Sequence, residues 1–394
     1  MKESLQAGFG SQVEDIVLTP SHGGRFEVTV NGHLIYSKLA TGRHAQPGEV
    51  EGLVRNMIMP SQKRKPRVLS GIQSSGNLHI GNYLGAIKNW VQDQDRYENY
   101  FMIADYHAIT GLPDSQALRQ QKRELIGLLL ACGLDPNKSV IFEQSDVAEH
   151  MELAWILTCV TPVGWLERMT QYKDKTQKIS DKQSIGAGLL IYPTLMASDI
   201  LIYQTDEVPV GEDQRQHVEI TRDIAQRFNH LYGETFTIPT VHIRESGARI
   251  MDLTNPQKKM SKSDEDTAGR LGLLDNPDEL RKKIKTATTD SMRDIVFDPG
   301  PERAGLFNLL TIYLELSGQS KAEIEAHFSC KGYKHLKEEL GELVVESLAP
   351  IQKRYAEITA DPGYLDQFLK EQAAKAQVVA SKTLRDVRQK IGID

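Results

Sequence analysis

Apolar residues in the middle of the chain alternate between two spacings. Short apolar runs at 67–72, 100–104 and 140–143 are typical of strands that are buried on both faces. Between them the apolar residues recur at helical spacing, as in the segment that Asp114 or Ser115 caps and that ends at Cys132. Strands that are separated by helices predict a parallel, doubly wound sheet, and therefore an α/β domain.

The same alternation continues along the chain and then gives way to helices alone. Pro193 is expected to start a helix, because proline is favoured in a first helical turn. From about Asp275 to the end the pattern is almost entirely helical. The predicted elements after residue 146 are helices over 147–161, 163–173, 193–203, 214–231, 306–316, 321–328, 333–355 and 364–391, and an extended run over 236–243.

The beginning of the chain follows a different pattern. Apolar and polar residues alternate over 25–30, a β-rich run follows at 33–37, and Asn31-Gly32 between them favours a tight hairpin turn. A run of apolar residues on one helical face comes next. A hairpin with one helix is marginally stable alone, so we expect it to dock on the rest of the chain, on a second copy or on a partner. The predicted parts are an extension (1–62), an α/β domain (63–270) and a helical domain (271–394).

The composition narrows the class of protein. Of the 394 residues, 40% are hydrophobic and 25% are charged, which is ordinary for a globular enzyme. No apolar run approaches the roughly 20 residues of a membrane helix, and no signal-peptide pattern is present, so we expect a cytoplasmic protein without a membrane partner. The three cysteines are scattered, which argues against disulfides and zinc. With a net charge of −6, only local basic clusters could favour nucleic acid.

Two polar stretches are candidates for phosphate chemistry. Four glycines between 71 and 85, with His79 and Asn82 among them, stand where a strand becomes a helix. They allow either a flat or anionic ligand to approach the backbone or a helix to pack closely on a strand. The segment 258–266 concentrates lysine and serine, which suits a polyphosphate but is also typical of a solvent-exposed loop.

The predicted helix at Pro193 carries an unusual carboxylate. Tyr192, Met196 and Asp199 are spaced i, i+4 and i+7, so they share one helical face. Asp199 lies too far inside the helix to cap it, and 200–202 are apolar. An ionised carboxylate in such surroundings needs a partner. The partner is either a neighbouring lysine or arginine or a hydrogen-bond donor on a ligand.

Both polar stretches resemble the signature motifs of class I aminoacyl-tRNA synthetases. His79-Ile-Gly-Asn82 is similar to the HIGH motif, and Lys259-Met-Ser-Lys-Ser263 is a complete KMSKS motif. The chain from about Arg67 onward resembles the bacterial tryptophanyl subfamily. It departs from that subfamily at Ser74, which replaces a proline, and in a slightly longer loop over 173–184. Further matching stretches lie at 104–110, 167–171, 192–199, 208–214 and 247–251.

The resemblance implies a fold and an activity. The fold is a Rossmann-like doubly wound sheet with an all-helical anticodon-binding domain and a small α+β N-terminal extension. The activity is the activation of L-tryptophan by ATP with Mg²⁺, followed by transfer to tRNA(Trp), in a cytoplasmic homodimer. Two alternatives remain open. One is tyrosine activation by the same machinery, and the other is a non-housekeeping or regulatory paralogue that works through the extension.

The same resemblance assigns roles to residues, with no metal ligand among the protein side chains and with Asp199 as acceptor of the indole N–H. The implied catalytic residues are Gln73, His79, Asn82, Lys259 and Lys262. The implied ATP-binding residues are Gln73, Ser74, Ser75, His79, Gly81, Asn82, Gly211, Asp213, Ile250, Lys259, Met260, Ser261, Lys262 and Ser263. The implied tryptophan-binding residues are Leu69, His107, Gln171, Tyr192, Met196, Asp199, Val208, Val210 and Gln214.

The extension resembles a fragment of the selenoprotein W-like (Rdx) family. The resemblance rests on the ten residues 23–32, Gly-Gly-Arg-Phe-Glu-Val-Thr-Val-Asn-Gly, and on the helix after them. In that family a CxxC or CxxU motif precedes this region. Here no cysteine comes before Cys132, so redox catalysis is not expected. We expect instead that the extension docks a partner or the second subunit.

Overall fold

The structure is a computed structural model. It divides the chain into two compact units, Met1–Lys65 and Pro66–Asp394. The helices in its described parts include none that is both long and apolar enough to cross a membrane. The residues that the structure describes are 24–46, 48–58, 64–74, 78–178, 185–243, 248–261, 267–292 and 294–394.

In its described residues, the first unit forms a β-hairpin and two helices. Asn31 and Gly32 have φ angles of 49° and 81°, which confirms the predicted hairpin turn. A small apolar core forms around Tyr36, Val50 and Val54, as the helical spacing predicts. The elements are β1 (Glu27–Val30), β2 (His33–Ser37), α1 (Lys38–Thr41) and α2 (Glu49–Ile58).

The second unit contains a parallel sheet. In the described ranges its strands run in the order β5-β4-β3-β6-β7, and each neighbouring pair is parallel. This confirms the predicted doubly wound sheet. The strand order reverses between β3 and β6, so a crevice opens beyond the carboxyl ends of these two strands. The strands are β3 (Arg67–Ile72), β4 (Glu98–Ile103), β5 (Ser139–Glu143), β6 (Glu207–Val210) and β7 (Thr240–Ile243).

Helices cover both faces of this sheet. Phe101 and Ile103 of β4 pack in one hydrophobic core, whereas Tyr100 and Met102 pack in the other. This alternation is the two-residue period of a strand that is buried on both faces. The helices between the strands are α3 (Ile80–Asn82), α4 (Lys88–Asp93), α5 (Asp105–Ile109), α6 (Ser115–Ala131), α7 (Glu149–Val160), α8 (Val163–Glu167), α9 (Thr170–Lys178), α10 (Gly188–Leu201) and α11 (Arg215–Tyr232).

The C-terminal helices extend one of the two cores. Leu309 and Leu340 belong to the same cluster as Phe101 and Ile126. The last helix packs along β5, where the Gln372 side chain accepts a hydrogen bond from a backbone N–H of that edge strand (3.3 Å, Ile141). The C-terminal helices are α12 (Pro277–Thr286), α13 (Ala304–Ser317), α14 (Lys321–Phe328), α15 (Tyr333–Thr359) and α16 (Pro362–Ile391).

The structure differs from the sequence predictions at three places. Helix α10 begins at Gly188, so Pro193 lies inside the helix and does not start it; buried residues such as Leu189 extend the apolar face before the proline. Strand β6 was not predicted, because Pro209 within it cannot donate to a sheet. The helix predicted over 163–173 is broken into α8 and α9.

Candidate active site

The carboxyl ends of four neighbouring strands bring three predicted site residues and one further side chain to one edge of the sheet. Gln73 follows β3, His107 follows β4 and Gly211 follows β6. Gln144 directly follows β5. Since ligands of doubly wound sheets bind at this edge near the reversal of strand order, these residues form the candidate active site.

The turn after β3 contacts the segment that precedes the lysine-rich loop. The backbone N–H of His79 donates to Asn82 Oδ1 at 3.1 Å, so Asn82 helps to close the first turn of the helix. A Cβ on Gly81 would lie 3.0 Å from His79 Nδ1 and 3.4 Å from Ile250 Cβ. Close packing is therefore sufficient to explain the glycine, and it places the turn after β3 against Ile250, another of the predicted ATP-binding residues.

The lysine-rich segment begins from a fixed base. The backbone N–H of Met260 donates to the Ile250 carbonyl at 3.1 Å, and the N–H of Asp252 donates to the Lys258 carbonyl at 2.8 Å. Ile250 and Met260 are buried in one core, whereas Lys259 is exposed. The lysine at 259 therefore extends from a buried anchor. Of the other predicted ATP residues, Ser75, Lys262, Ser263 and the side chain of Asp213 lie outside what the structure describes.

A buried carboxylate lies at the centre of the site. His107 Nε2 is 2.7 Å from Asp199 Oδ2, and His150 Nδ1 is 2.7 Å from Asp199 Oδ1. Gln144 Nε2 also donates to Oδ1 at 2.7 Å. Its amide orientation is fixed, because Gln144 Oε1 accepts the backbone N–H of Tyr106 at 3.1 Å. Three side chains from separate segments thus hold one carboxylate.

These contacts keep Asp199 ionised. Burial by itself would raise the pKa of Asp199, but the hydrogen bonds from His107 and His150 lower it to about 2. A carboxylate oxygen has two acceptor positions. Oδ1 uses both, for Gln144 and His150, whereas Oδ2 uses one for His107. As far as the described residues go, one acceptor position on Oδ2 therefore remains for a further donor.

The structure corrects two interpretations of Asp199 from the sequence. The expected protein partner, a lysine or arginine, is wrong: the partners are two histidines and a glutamine. A ligand donor is also not required to satisfy the carboxylate, because three protein side chains already contact it. A local pattern misses them, since His107, Gln144 and His150 lie 92, 55 and 49 residues from Asp199.

A second network surrounds Tyr192. Its hydroxyl donates to Gln171 Oε1 at 3.1 Å and lies 2.7 Å from His217 Nε2. Burial raises the pKa of Tyr192 to about 12, so the hydroxyl stays protonated. The Tyr192 and His107 rings meet edge to face with centroids 6.4 Å apart. The two networks are therefore neighbours on α10.

Apolar side chains complete this part of the site. Met196 and Val210 are partly buried against one hydrophobic core, and Leu69 and Val208 belong to that core. All four were predicted to contact the amino acid. Gln214 is half-buried at the end of the short turn Glu212–Gln214, directly after Gly211.

An ion-pair cluster fixes the segments that carry His107 and Gln144. Lys122 Nζ lies 2.9 Å from Asp105 Oδ2 and also contacts Glu143 Oε2. Asp105 Oδ1 accepts the backbone N–H groups of Tyr106 and Ser145, each at 3.0 Å. Although burial would lower the pKa of Lys122, its hydrogen bonds to Glu143 and Asp105 raise it. The cluster ties the end of β4 to the end of β5.

The prediction of site residues missed Gln144, His150 and His217. Gln144 had a usable signal, because it directly follows a buried strand at the ligand edge of the sheet. His150 and His217 lie on apolar helix faces, where a histidine looks like an ordinary core residue. Within the described ranges, no cluster of three histidine, cysteine, aspartate or glutamate side chains is suited to a metal ion.

Two regions of the chain match known protein families. Residues 61–349 match the family of tRNA synthetases class I (W and Y). Residues 1–56 match the Rdx family. The first match spans the sheet, the lysine-rich segment and much of the helical region.

Individual relatives match over the same region. The tryptophan–tRNA ligase of Wolinella succinogenes is 53% identical over 329 residues, which cover 84% of this chain and 99% of the relative. The corresponding ligase of a Nostoc species is 49% identical over 331 residues, 83% of this chain and 98% of the relative. The crystal structure of tryptophanyl-tRNA synthetase from Campylobacter jejuni, complexed with ADP and tryptophan, has a TM-score of 0.73 at 38% identity and covers 83% and 99% of the two chains.

Proposed function

The chain belongs to the class I tRNA synthetase family for tryptophan and tyrosine, and we propose that it is a tryptophan–tRNA ligase. The enzyme activates L-tryptophan with ATP, which gives tryptophanyl-adenylate and pyrophosphate, and then transfers the tryptophanyl group to tRNA(Trp). Among the structural observations, the one that supports tryptophan best is the buried, ionised Asp199 with one open acceptor position on Oδ2. The N–H of an indole ring is a donor that fits this position.

The proposed roles of the chain are positioning and charge neutralisation. The carboxylate of tryptophan is itself the nucleophile that attacks the α-phosphate of ATP, so the protein supplies no covalent nucleophile. His79, Asn82 and Gln73 would hold ATP at the end of β3. Lys259, exposed beside the buried Met260, would offset the charge that develops on the phosphates and on the leaving pyrophosphate. Lys262 has the same proposed role.

Recognition of the amino acid would rest on α10. Asp199 accepts a hydrogen bond from the indole N–H. The apolar slot for the ring is formed by Met196, Val208 and Val210. The Tyr192 hydroxyl, held by His217, positions Gln171 for the ammonium and carboxylate end of the substrate. A phenylalanine side chain offers no donor to Asp199 and loses this contact. Tyrosine does offer a hydroxyl, so tyrosine activation is the alternative that the test must separate.

ATP binding accords with the ADP found in the Campylobacter neighbour, and Mg²⁺ would be the ion that accompanies ATP. The described side chains around the site do not fit a metal held by the protein. Lysine and serine near 259–261 are donors that suit phosphate oxygens. Mg²⁺ would therefore be bound through the phosphates of ATP.

We also propose a cytoplasmic homodimer. Helix α7 exposes Met151 (45%) and Trp155 (69%) one turn apart, although large apolar side chains on a helix usually face a core. A second copy of this chain is the proposed partner of this surface. The helical region 271–394 would bind the anticodon of tRNA(Trp).

Amino-acid-dependent ATP–pyrophosphate exchange tests the proposal. Tryptophan and tyrosine are compared in parallel, with Asp199→Ala beside the wild type. We expect exchange with tryptophan and its loss in the variant. Exchange driven by tyrosine would move the assignment to tyrosine activation. No exchange with either amino acid, from folded protein, would contradict the enzyme and favour a paralogue that works through its extension.

A further inference from the structure

Asp199 is backed by two buried groups that the proposed chemistry does not use. His150 Nδ1 lies 2.7 Å from Asp199 Oδ1, and His150 Nε2 lies 2.7 Å from the hydroxyl of Tyr203. His150 and Tyr203 are both 0% exposed, and Asp199 is 1% exposed. Water therefore cannot replace either hydrogen bond. The neighbouring side chains determine where the protons of Asp199, His150 and Tyr203 lie.

The two contacts define the tautomer of His150. An ionised carboxylate only accepts hydrogen bonds, so His150 Nδ1 must carry a proton. Burial raises the pKa of Tyr203 well above its usual value, so its hydroxyl keeps its proton. In the described part of the chain, His150 Nε2 is the hydrogen-bond partner of that hydroxyl. Because a buried donor without a partner is costly, Nε2 accepts, and the imidazole is the neutral Nδ1–H tautomer.

The surroundings hold the imidazole ring in this orientation. Phe142 packs against both rings of the pair, with centroids 6.0 Å from His150 and 5.6 Å from Tyr203. The Tyr203 ring stacks on Tyr100 with centroids 4.7 Å apart. The Ser198 hydroxyl donates to the carbonyl of His150 at 2.7 Å. The donor direction at Nδ1 is thus fixed by packing as well as by hydrogen bonding.

We propose that His150 is a positioning residue for indole recognition and that Tyr203 holds its ring in orientation. In the Nδ1–H tautomer, His150 and Gln144 fill both acceptor positions of Asp199 Oδ1. Among the described contacts, the remaining position is then on Oδ2, beside His107, whose side chain is 18% exposed. The pocket therefore presents one acceptor position of fixed direction. This inference rests on the proposed function, because it states how that same pocket selects an N–H donor.

Loss of the Tyr203 hydroxyl should disturb the pocket without touching the substrate. The Nδ1–H would still face the Asp199 carboxylate, but in the described part of the chain Nε2 would lose its hydrogen-bond partner. The imidazole ring would then be held at that end by packing alone and could turn, so one of the three contacts to the carboxylate would lose its fixed direction. The enzyme would then discriminate less well between an indole ring, which has an N–H donor, and a ring without a donor.

The test compares tryptophan with β-(1-benzothiophen-3-yl)alanine, in which sulfur replaces the indole N–H. The ratio of kcat/KM for the two amino acids in ATP–pyrophosphate exchange measures the recognition of the N–H. His150→Gln, whose amide reaches the Nε2 position, and Tyr203→Phe should each lower this ratio about tenfold. His150→Asn places an amide nitrogen at the Nδ1 position and should keep most of the wild-type ratio. Tyr100→Phe, which removes a hydroxyl from the neighbouring stacked ring, is the matched control and should leave the ratio unchanged.

The outcomes separate this inference from the proposed function. A wild type that does not respond to tryptophan would overturn the proposed function itself. A wild type that prefers tryptophan, with the same ratio in folded His150→Gln and Tyr203→Phe, would overturn only the role of His150. The ¹⁵N spectrum of histidine-labelled wild type gives a reading that does not depend on activity. A signal that disappears in His150→Asn should show the Nδ1–H tautomer, and an Nε2–H pattern would overturn the inference.

Discussion

His107 Nε2 lies 2.7 Å from Asp199 Oδ2, so the segment after β4 is hydrogen-bonded to the last turn of α10. Gln144 makes the equivalent link from the end of β5, and His150 makes it from α7. Four elements that are distant along the chain meet at one carboxylate. The position of each element relative to α10 is therefore sensitive to the loss of a single donor.

Replacement of His107 should weaken the use of tryptophan. Alanine removes the donor to Oδ2, and a hydrogen bond to a charged group contributes about 1.5–3 kcal/mol. Because His107 is partly exposed and water can replace it, we expect kcat/KM for tryptophan to fall about tenfold. The KM for ATP should not change. His107→Gln, whose amide nitrogen reaches the Nε2 position, should keep most of the kcat/KM that the alanine variant loses. Steady-state ATP–pyrophosphate exchange measures both variants. Equal losses in both variants would contradict a role as donor.

The free energy of unfolding should depend on pH in acid because Asp199 titrates there. Its pKa of about 2 in the folded state lies below the ordinary value of 3.8. The carboxylate therefore stabilises the fold fully above about pH 4, and this contribution is lost as the pH falls toward 2, by about 2 kcal/mol in all. Urea unfolding between pH 3 and 6 should show that the wild type has a larger free energy of unfolding than Asp199→Asn. This advantage should decrease toward acid pH. An advantage that stays constant with pH would count against this assignment.

Lys259 should matter for the chemical step and its neighbour much less. Loss of a cation that stabilises the developing charge on phosphate typically lowers kcat about a hundredfold or more. We expect such a loss in Lys259→Ala, with little change in the KM for tryptophan. Lys258→Ala is the matched control, since both side chains are exposed in the same segment. Similar kcat values for the two variants would show that Lys259 is an ordinary surface lysine.

Two helical glycines should respond in opposite directions to alanine. A Cβ on Gly305 would lie 2.2 Å from the carbonyl oxygen of Thr288, whereas on Gly341 the nearest atom would be 3.8 Å away. Gly305→Ala should therefore destabilise the protein by about 3 kcal/mol through overpacking. Gly341→Ala should stabilise it by about 0.5–1 kcal/mol through helix propensity. Urea denaturation measures both, and a neutral Gly305→Ala would contradict the close approach.

Removal of residues 1–62 should leave activation of tryptophan intact. The described site residues all belong to the unit Pro66–Asp394, so exchange should be unchanged. If the extension docks on a partner copy, its removal should change the size of the oligomer or the thermal stability. Size-exclusion chromatography with light scattering and a thermal scan measure these properties. No change in charging, size or stability would remove the support for a docking role.

The sheet could be predicted where its strands are continuous apolar runs. β3, β4 and β5 are of this kind, and the alternation of Tyr100 and Phe101 between two cores follows from the strand period. β6 could not be found in this way, because it is four residues long and contains Pro209. The start of α10 was misplaced because proline usually marks a first turn, whereas Pro193 lies inside this helix.

The site was predictable where its residues share one element. Tyr192, Met196 and Asp199 do so on α10, and their spacing alone singles out the carboxylate. Its partners come from α5, α7 and the end of β5, and no local pattern encodes which buried donor meets which carboxylate. Contacts of this kind depend on tertiary packing. The roles in ATP and tryptophan binding remain predictions until the variants are measured.

The hydrogen bond between Gln372 and the backbone of β5 has a consequence for synthesis of the protein. β5 is the edge of the parallel sheet, and α16, the last helix of the chain, covers it. Because Gln372 lies 231 residues after Ile141, a ribosome completes α16 long after β5, so the N–H and C=O groups of this edge stay open while the rest of the sheet can already form. An open edge pairs readily with other chains. A nascent or prematurely terminated chain that lacks α16 is therefore the form of this protein that is most exposed to aggregation.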